Sequence, residues 1–128
     1  MNVLLDSCAL LALATGSLPK AAREALADSA EAFVNPVVVW DLAIKVQTGK
    51  LQLPEPPLRW VEELARRHSL NLERVMPDAS ILCAAADLPL LHRDPFGRVL
   101  VATAMDRGLV LLTSDRVIPT YPGVRVIW

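Results

Sequence analysis

Two short apolar runs, far apart in this chain, each lead to an aspartate. The first covers residues 2–5 and is followed by Asp6; the second covers residues 109–112 and is followed, after Thr113 and Ser114, by Asp115. Short runs rich in Val and Leu that end in polar residues are typical of buried strands in a parallel α/β sheet. Because ligands bind at the carboxyl ends of such strands, we expect the two carboxylates to face one crevice. Carboxylate oxygens gathered in a crevice are typical ligands of a hard cation.

The rest of the chain alternates between helix and strand patterns. Asn35-Pro36 and Asp94-Pro95 each combine an N-cap residue with a proline at the first helical position, so each predicts a helix start. The predicted strands are 2–5, 32–34, 71–75, 109–112 and 124–127, and the predicted helices are 9–15, 20–29, 36–48, 58–68, 77–86 and 95–107. This alternation predicts an α/β fold with a central parallel sheet of four to five strands.

Composition narrows the class of protein. The 128 residues fit one compact domain, and because 53% of them are hydrophobic but only 5% are aromatic, the core is expected to be aliphatic. The formal net charge of −1 excludes a broad positive field for nucleic acid, so any RNA binding needs a local basic patch or a bound metal. Cys8 and Cys83 lack the spacing of a zinc site and are expected to be free thiols in the core.

The apolar stretch at the N-terminus does not have the pattern of an export signal. No Lys or Arg precedes it, and Asp6 interrupts it. No apolar run approaches the length of a membrane span. We therefore expect a soluble cytoplasmic protein that makes no use of a membrane.

Four segments, in order, resemble the sequence motifs of PIN-domain proteins, and their spacing is similar to that of the VapC toxins of bacterial toxin–antitoxin pairs. The segments are Leu4–Leu11, Val39–Leu51, Leu91–Arg98 and Leu112–Asp115. The resemblance covers nearly the whole chain. It implies a single PIN-like domain over residues 1–128, with a three-layer α/β/α architecture. It also implies an Mg²⁺- or Mn²⁺-dependent endoribonuclease that hydrolyses RNA phosphodiesters, forms a homodimer and is held inactive by an antitoxin protein.

The resemblance also implies a set of acidic site residues, with two departures from the family pattern. Asp6, Asp41 and Asp115 are the implied catalytic metal ligands, with Asp94 as an additional candidate. Asp41 stands where the family usually has Glu, which withdraws the carboxylate by roughly one C–C bond, ~1.5 Å. Gly97 stands where the family usually has a metal-binding Asp, and a glycine offers no ligand. The apolar run Val37–Val39 also replaces hydroxyl residues that usually precede the second acid.

Each of these acids also has a purely structural explanation. Asp6 and Asp94 both stand at positions suited to a helix N-cap, and this explanation is favoured for Asp94 because Pro95 follows it. Asp41 is four residues from Lys45, the spacing of a helical ion pair. Asp115 follows Thr113-Ser114 and is suited to a turn. These alternatives remain open at the level of the sequence.

Basic residues near the motifs are candidates for contacts with RNA phosphates: Arg93, Arg98 and Lys45. The absence of an acid at position 97 also favours a second hypothesis, a catalytically degenerate PIN-fold module that still dimerises and binds antitoxin or RNA. A phospho-receiver domain is disfavoured because Asp6 is followed by Ser7 and no Lys occurs after Lys50. A nucleotide-binding domain is disfavoured because no glycine-rich loop follows the first strand.

Overall fold

The structure is a computed structural model that describes residues 1–128. The five strands are β1 (Val3–Leu5), β2 (Ala32–Val34), β3 (Asn71–Leu72), β4 (Val110–Leu112) and β5 (Arg125–Ile127). The six α-helices are α1 (Ser7–Ala14), α2 (Lys20–Asp28), α3 (Pro36–Gln47), α4 (Pro57–His68), α5 (Ala79–Asp87) and α6 (Pro95–Arg107). A short 3₁₀ helix, Ile118–Thr120, lies between β4 and β5. The predicted α/β class is confirmed.

The strands form one sheet in the order β3-β2-β1-β4-β5, and every neighbouring pair is parallel. The chain adds strands on one side of β1 and then returns to add β4 on the other side. The strand order therefore reverses between β1 and β4, which places the topological switch point of the sheet there. In open α/β sheets this crevice, outside the carboxyl ends of the strands, is the usual ligand site.

The centre of the sheet is buried on both faces, as the continuous apolar runs predict. All residues of β1 and β4 are at most 2% exposed. They belong to a single core cluster of 24 residues, whose members are Leu, Val and Ala with one Ile, one Phe and one Tyr. The aliphatic core expected from the composition is thus confirmed.

Helices α3 and α6, whose starts the sequence predicts from a cap residue followed by proline, begin at the predicted residues. The Asn35 side-chain oxygen accepts a hydrogen bond from the Val37 N–H at 2.9 Å, and Asp94 Oδ1 accepts one from the Phe96 N–H at 3.0 Å. Each cap satisfies an N–H that has no partner within its helix. Helix α6 ends at Gly108, whose φ of 64° is the left-handed conformation that glycine adopts without strain.

Four expectations about local structure are wrong. Helix α1 begins at Ser7 rather than at residue 9, because Asp6 caps it. Strand β3 stops at Leu72 rather than at residue 75, because its only partner, β2, ends at Val34. Helix α5 begins at residue 79 rather than 77, because Asp78 caps it by accepting from the Ile81 N–H at 3.0 Å. Cys8 and Cys83 are free, as expected, but both are exposed rather than in the core.

None of the helices combines the length and the apolar character that crossing a membrane would need.

Candidate active site

The first and last predicted acids lie at the switch point of the sheet. Asp6 follows β1 directly, and its backbone N–H donates to the carbonyl oxygen of Leu112, the last residue of β4, at 3.3 Å. Asp115 lies three residues beyond the same strand end. Two residues separated by more than a hundred positions are therefore brought to one crevice, as the two apolar runs predict.

Asp6 has both roles that its sequence position suggests. Its Oδ1 accepts a hydrogen bond from the Ala9 N–H at 2.9 Å, so it caps α1. The residue is only 7% exposed. Burial raises the pKa of Asp6 from 3.8 to about 6, with a smaller increase from Asp115, although the hydroxyl of Thr113 and the Ala9 N–H both lower it. A buried carboxylate with this elevated pKa is stabilised by any cation that approaches it.

Asp41 lies in the second turn of α3, is 8% exposed and uses one oxygen for two contacts. The Ser7 hydroxyl donates to Asp41 Oδ2 at 2.6 Å, and Lys45 Nζ donates to the same oxygen at 3.0 Å. The predicted helical ion pair is therefore present. The hydroxyl partner comes from the start of α1, so the apolar run before Asp41 does not leave the carboxylate without a polar neighbour.

Asp115 is held by a histidine and by its own loop. Asp115 Oδ1 accepts hydrogen bonds from the N–H groups of Val117 and Ile118 at 2.7 and 3.3 Å, and Oδ2 lies 2.6 Å from His92 Nε2. Burial alone would raise the pKa of Asp115, but the bonds from His92 and the two N–H groups outweigh it and the pKa is lowered. Asp115 therefore ionises at a lower pH than Asp6 does.

His92 joins the third motif to the fourth. Its Nδ1 accepts a hydrogen bond from the Asp94 backbone N–H at 3.0 Å, so Nδ1 carries no proton. The proton therefore lies on Nε2, which donates to the Asp115 carboxylate. The Tyr121 hydroxyl accepts from the His92 backbone N–H at 3.0 Å and fixes the segment further.

Asp94 and Gly97 occupy the first turn of α6. Asp94 is the predicted cap, and its second oxygen, Oδ2, lies 3.6 Å from the place a Cβ at position 97 would take. The other near atom is Ile118 Cδ1 at 3.7 Å. Both are ordinary van der Waals separations, so a Cβ at position 97 fits without a backbone shift and would stand beside Asp94.

Arg98, a predicted RNA contact, is instead an interior clamp. The residue is 8% exposed, and its guanidinium donates to the carbonyl oxygens of Ala86, Leu88 and Pro89 and to the Tyr121 hydroxyl, at 2.8 to 3.2 Å. The guanidinium holds the end of α5 and the following loop against α6. Since its donors point into the protein, Arg98 serves the fold rather than RNA.

The four aspartates line one cavity of about 130 Å³ together with Lys45. The other lining residues are Ser7, Cys8, Val38, Phe96, Gly97, Leu100 and Ile118. The structure thus brings together all four sequence-predicted acids and one of the three predicted basic residues. Arg93 is exposed next to the cavity in sequence but does not line it.

The side chains of the cavity are of the type that binds a hard cation, since four carboxylates and a hydroxyl all offer oxygen ligands. A nearby positive charge would also stabilise the ionised form of Asp6. No three Asp, Glu, His or Cys side chains, however, are arranged closely enough to enclose a metal directly. Asp41 is turned toward Ser7 and Lys45, and Asp115 toward His92. Mg²⁺ commonly keeps several water ligands and binds through one or two carboxylates, which suits a partial set of this kind.

Two residues of the site were not predicted from the sequence. Ser7 follows Asp6 in the first motif, and its hydroxyl is a hydrogen-bond group placed at the same strand end. His92 stands two residues before the cap Asp94, a spacing that lets a ring nitrogen accept from the cap's own N–H. Both residues lie inside the motif segments, but neither is one of the acidic positions or of the Lys and Arg positions from which the site was predicted.

The chain matches the sequence profile of the PIN domain over residues 3–124. It therefore belongs to the PIN-domain family. It is 31% identical over 100 residues to Ribonuclease VapC22 of Mycobacterium tuberculosis, a match that covers 77% of this chain and 74% of the relative. This similarity places the chain with the VapC proteins of the family.

Solved structures share the fold at low sequence identity. The VapBC2 structure from Rickettsia felis, bound to a DNA fragment from its promoter, aligns with a TM-score of 0.70 and 13% identity, covering 100% of this chain and 99% of that one. DNA-bound VapBC from Salmonella typhimurium aligns with a TM-score of 0.65 and 16% identity, covering 99% and 97%. PAE2754 from Pyrobaculum aerophilum aligns with a TM-score of 0.63 and 16% identity, covering 98% of this chain and 89% of that one.

Proposed function

We propose that the chain is a divalent-metal-dependent endoribonuclease, the toxin of a toxin–antitoxin pair, with activity reduced by the glycine at position 97. The observation that carries the proposal is the convergence of Asp6, Asp41, Asp94 and Asp115 on one cavity at the switch point. Family membership and the 31% identity to a ribonuclease support the choice of RNA as substrate.

The residues that would hold Mg²⁺ or Mn²⁺ are Asp6, Asp41 and Asp115, with Asp94 beside them. A bound ion supplies a water of lowered pKa and neutralises the charge that develops on the phosphodiester. Asp6 contributes a buried carboxyl whose ionised form a nearby positive charge stabilises. His92 holds the Asp115 carboxylate in one orientation through the bond from Nε2. Ser7 and Lys45 do the same for Asp41.

Lys45 and Arg93 are the proposed contacts to RNA phosphates. The Lys45 side chain is 40% exposed, so its ammonium reaches the solvent side of the cavity while it pairs with Asp41. Arg93 is exposed and lies between His92 and Asp94. Because Lys45 lines the acidic cavity, a polyanionic strand that it binds would lie next to the four acids.

The partners follow from the similar structures. Two of them are VapBC complexes, both bound to DNA. We propose that this chain likewise pairs with an antitoxin protein in the cytoplasm, and that it forms a homodimer.

Position 97 favours a second candidate function, a PIN-fold binding module without nuclease activity. Glycine leaves the first turn of α6 without the acid that the family pattern has there, and the remaining acids do not enclose a metal by themselves. Such a module would retain its antitoxin or RNA partner and lose hydrolysis.

Cleavage of a mixed RNA substrate by wild type, Asp6→Asn and Gly97→Asp separates the two functions. We expect weak cleavage by the wild type that depends on Mg²⁺ or Mn²⁺, none by Asp6→Asn and stronger cleavage by Gly97→Asp. Cleavage by Gly97→Asp alone would establish the binding module instead. Equal cleavage by wild type and Gly97→Asp would contradict the proposed reduction in activity, and cleavage by none of them would reject the ribonuclease.

A further inference from the structure

An exposed tryptophan stands next to the acidic cavity without being part of it. Trp40 precedes Asp41 in α3 and is 57% exposed, although tryptophan side chains are mostly buried on average. Its ring contacts Phe96 edge-on, with the centroids 5.1 Å apart and the planes at 87°. Since Phe96 itself lines the acidic cavity, this contact connects Trp40 to the wall of the site.

Trp40 also lines a separate groove of about 330 Å³ on the far side of that contact. The groove is formed by α3, α4 and the end of β3, and its lining residues are Pro36, Val39, Trp40, Ala43, Leu58, Leu72, Glu73 and Arg74. Its volume is at the lower end of the range for small-molecule sites in proteins. Five of the eight lining residues are hydrophobic, and the polar ones lie together at the Glu73-Arg74 end.

Positive charge is present both in the acidic cavity and in the groove. Lys45, five residues after Trp40 in α3, lines the acidic cavity. Arg74 lies in the groove, with a side chain that is 67% exposed and pairs with Glu62 at 3.1 Å. An exposed ion pair of this kind contributes little to stability, so the guanidinium is free to exchange Glu62 for another anion.

We propose that Trp40 and this groove form a stacking subsite for an unpaired nucleobase of single-stranded RNA, adjacent to the acidic cavity. The proposal rests on the ribonuclease function proposed above and names how its substrate is held. Single-stranded RNA is bound by aromatic side chains that stack on bases and by cations that follow the backbone. The groove offers one exposed indole and a cation at Arg74. Phe96 connects the indole to the neighbouring acidic cavity, which Lys45 also lines.

The main alternative to a nucleobase in this groove is an apolar helix of a partner protein. A helix in a groove needs several anchors at helical spacing along an extended apolar surface. Here the groove ends at two charged residues, Glu73 and Arg74, and its exposed large apolar side chains are only Trp40 and Leu58. Hydrogen-bonding groups at the end of a short apolar slot suit the polar edge of a base better than a helix.

The experiment measures binding of a labelled single-stranded oligoadenylate, and of the same strand without its bases, by fluorescence anisotropy in EDTA. Trp40→Ala should weaken binding of the oligoadenylate by at least about fivefold, the lower bound for loss of one stacked base. Trp40→Phe should retain part of the affinity, because a smaller ring still stacks. Both variants should bind the abasic strand as the wild type does.

The matched control is Trp128→Ala. Trp128 is also exposed, at 38%, but follows β5, at the opposite edge of the sheet from β3. Its loss should leave both affinities unchanged. If Trp128→Ala lost as much oligoadenylate affinity as Trp40→Ala does, the loss would not be specific to Trp40 and would count against the subsite.

Three outcomes overturn the subsite: no RNA binding by the wild type, unchanged oligoadenylate binding by Trp40→Ala, or an equal loss for the abasic strand. The groove would be assigned to a protein partner if Trp40→Ala left RNA binding unchanged but weakened the binding of an amphipathic leucine-rich peptide. A wild type that binds through Trp40 but cuts no RNA would reject the nuclease and support the subsite. If the wild type cuts RNA and Trp40→Ala cuts it with the same KM, the nuclease would be supported and the subsite rejected.

Discussion

Replacing Asp6 by Asn should make the protein more stable at neutral pH and leave its stability unchanged in acid. Asn retains the side-chain oxygen that accepts from the Ala9 N–H, and it is as good an N-cap as Asp. The substitution therefore removes the buried charge without removing the cap. What changes is the cost of ionising a carboxyl that is 7% exposed.

The magnitude follows from the pKa of Asp6. Burial raises this pKa in the folded state from 3.8 to about 6. A raised pKa favours the protonated folded state, so its contribution to stability is fully present below about pH 4 and is lost as the pH rises through about 6. The difference between the two pKa values corresponds to about 3 kcal/mol in the free energy of unfolding. Asp6→Asn should recover this amount above pH 7.

Urea denaturation of both proteins in EDTA, from about pH 4 to pH 8, measures the effect. The stability difference between Asp6→Asn and wild type should be near zero at the acid end, grow by up to ~1.4 kcal/mol per pH unit and level off. Asp78→Asn is the control, because Asp78 also caps a helix but is exposed. A difference that does not vary with pH, or an Asn variant that is less stable at pH 8, would refute the argument.

Three further predictions concern the metal, the clamp and a cap. Millimolar Mn²⁺ should raise the thermal midpoint of the wild type, because a cation relieves the cost of ionising Asp6, and Asp6→Asn should lose most of the rise; no rise in the wild type contradicts the proposed metal site. Arg98→Met should lower the free energy of unfolding by about 3 kcal/mol, since buried acceptors lose their donor, whereas Arg116→Met, an exposed position, should have little effect in the same urea titration. Asn35→Ala should cost about 1–2 kcal/mol through loss of the α3 cap, and Asn35→Asp should restore most of it; equal losses in calorimetry would show that the cap does not matter.

The order of the elements was predictable because the signals that define it are local. An N-cap followed by proline specifies a helix start whatever the tertiary context, and both instances, at Asn35 and Asp94, are confirmed. Apolar runs such as 109–112 likewise indicate a strand buried on both faces. Where the prediction was wrong, as at the end of β3, the limit was the length of the neighbouring strand, which is a property of the sheet rather than of the segment.

The site was predictable in its acids but not in the groups that hold them. Sequence position alone placed Asp6 and Asp115 at one edge of the sheet, because parallel strands share that edge. It did not reveal that Arg98 points inward, since an arginine one helical turn from a cap is compatible with either side of α6. Nor did it reveal the bond between His92 and Asp115, which depends on the path of two loops that only the folded sheet brings together.

The open space beside Gly97 has an evolutionary consequence. A carboxylate at this third helical position replaces a residue of poor helix propensity and interacts favourably with the positive end of the helix. A Cβ at this position needs no backbone shift, but its carboxylate would stand beside Asp94 and be repelled by it unless a cation lies between them. The backbone cost of glycine in a helix is only about 1 kcal/mol. Because one nucleotide change interconverts a glycine and an aspartate codon, a lineage of such proteins can pass between the two residues while every other contact of the fold is kept. Selection can thus adjust the strength of the site at this position without first passing through an unstable protein.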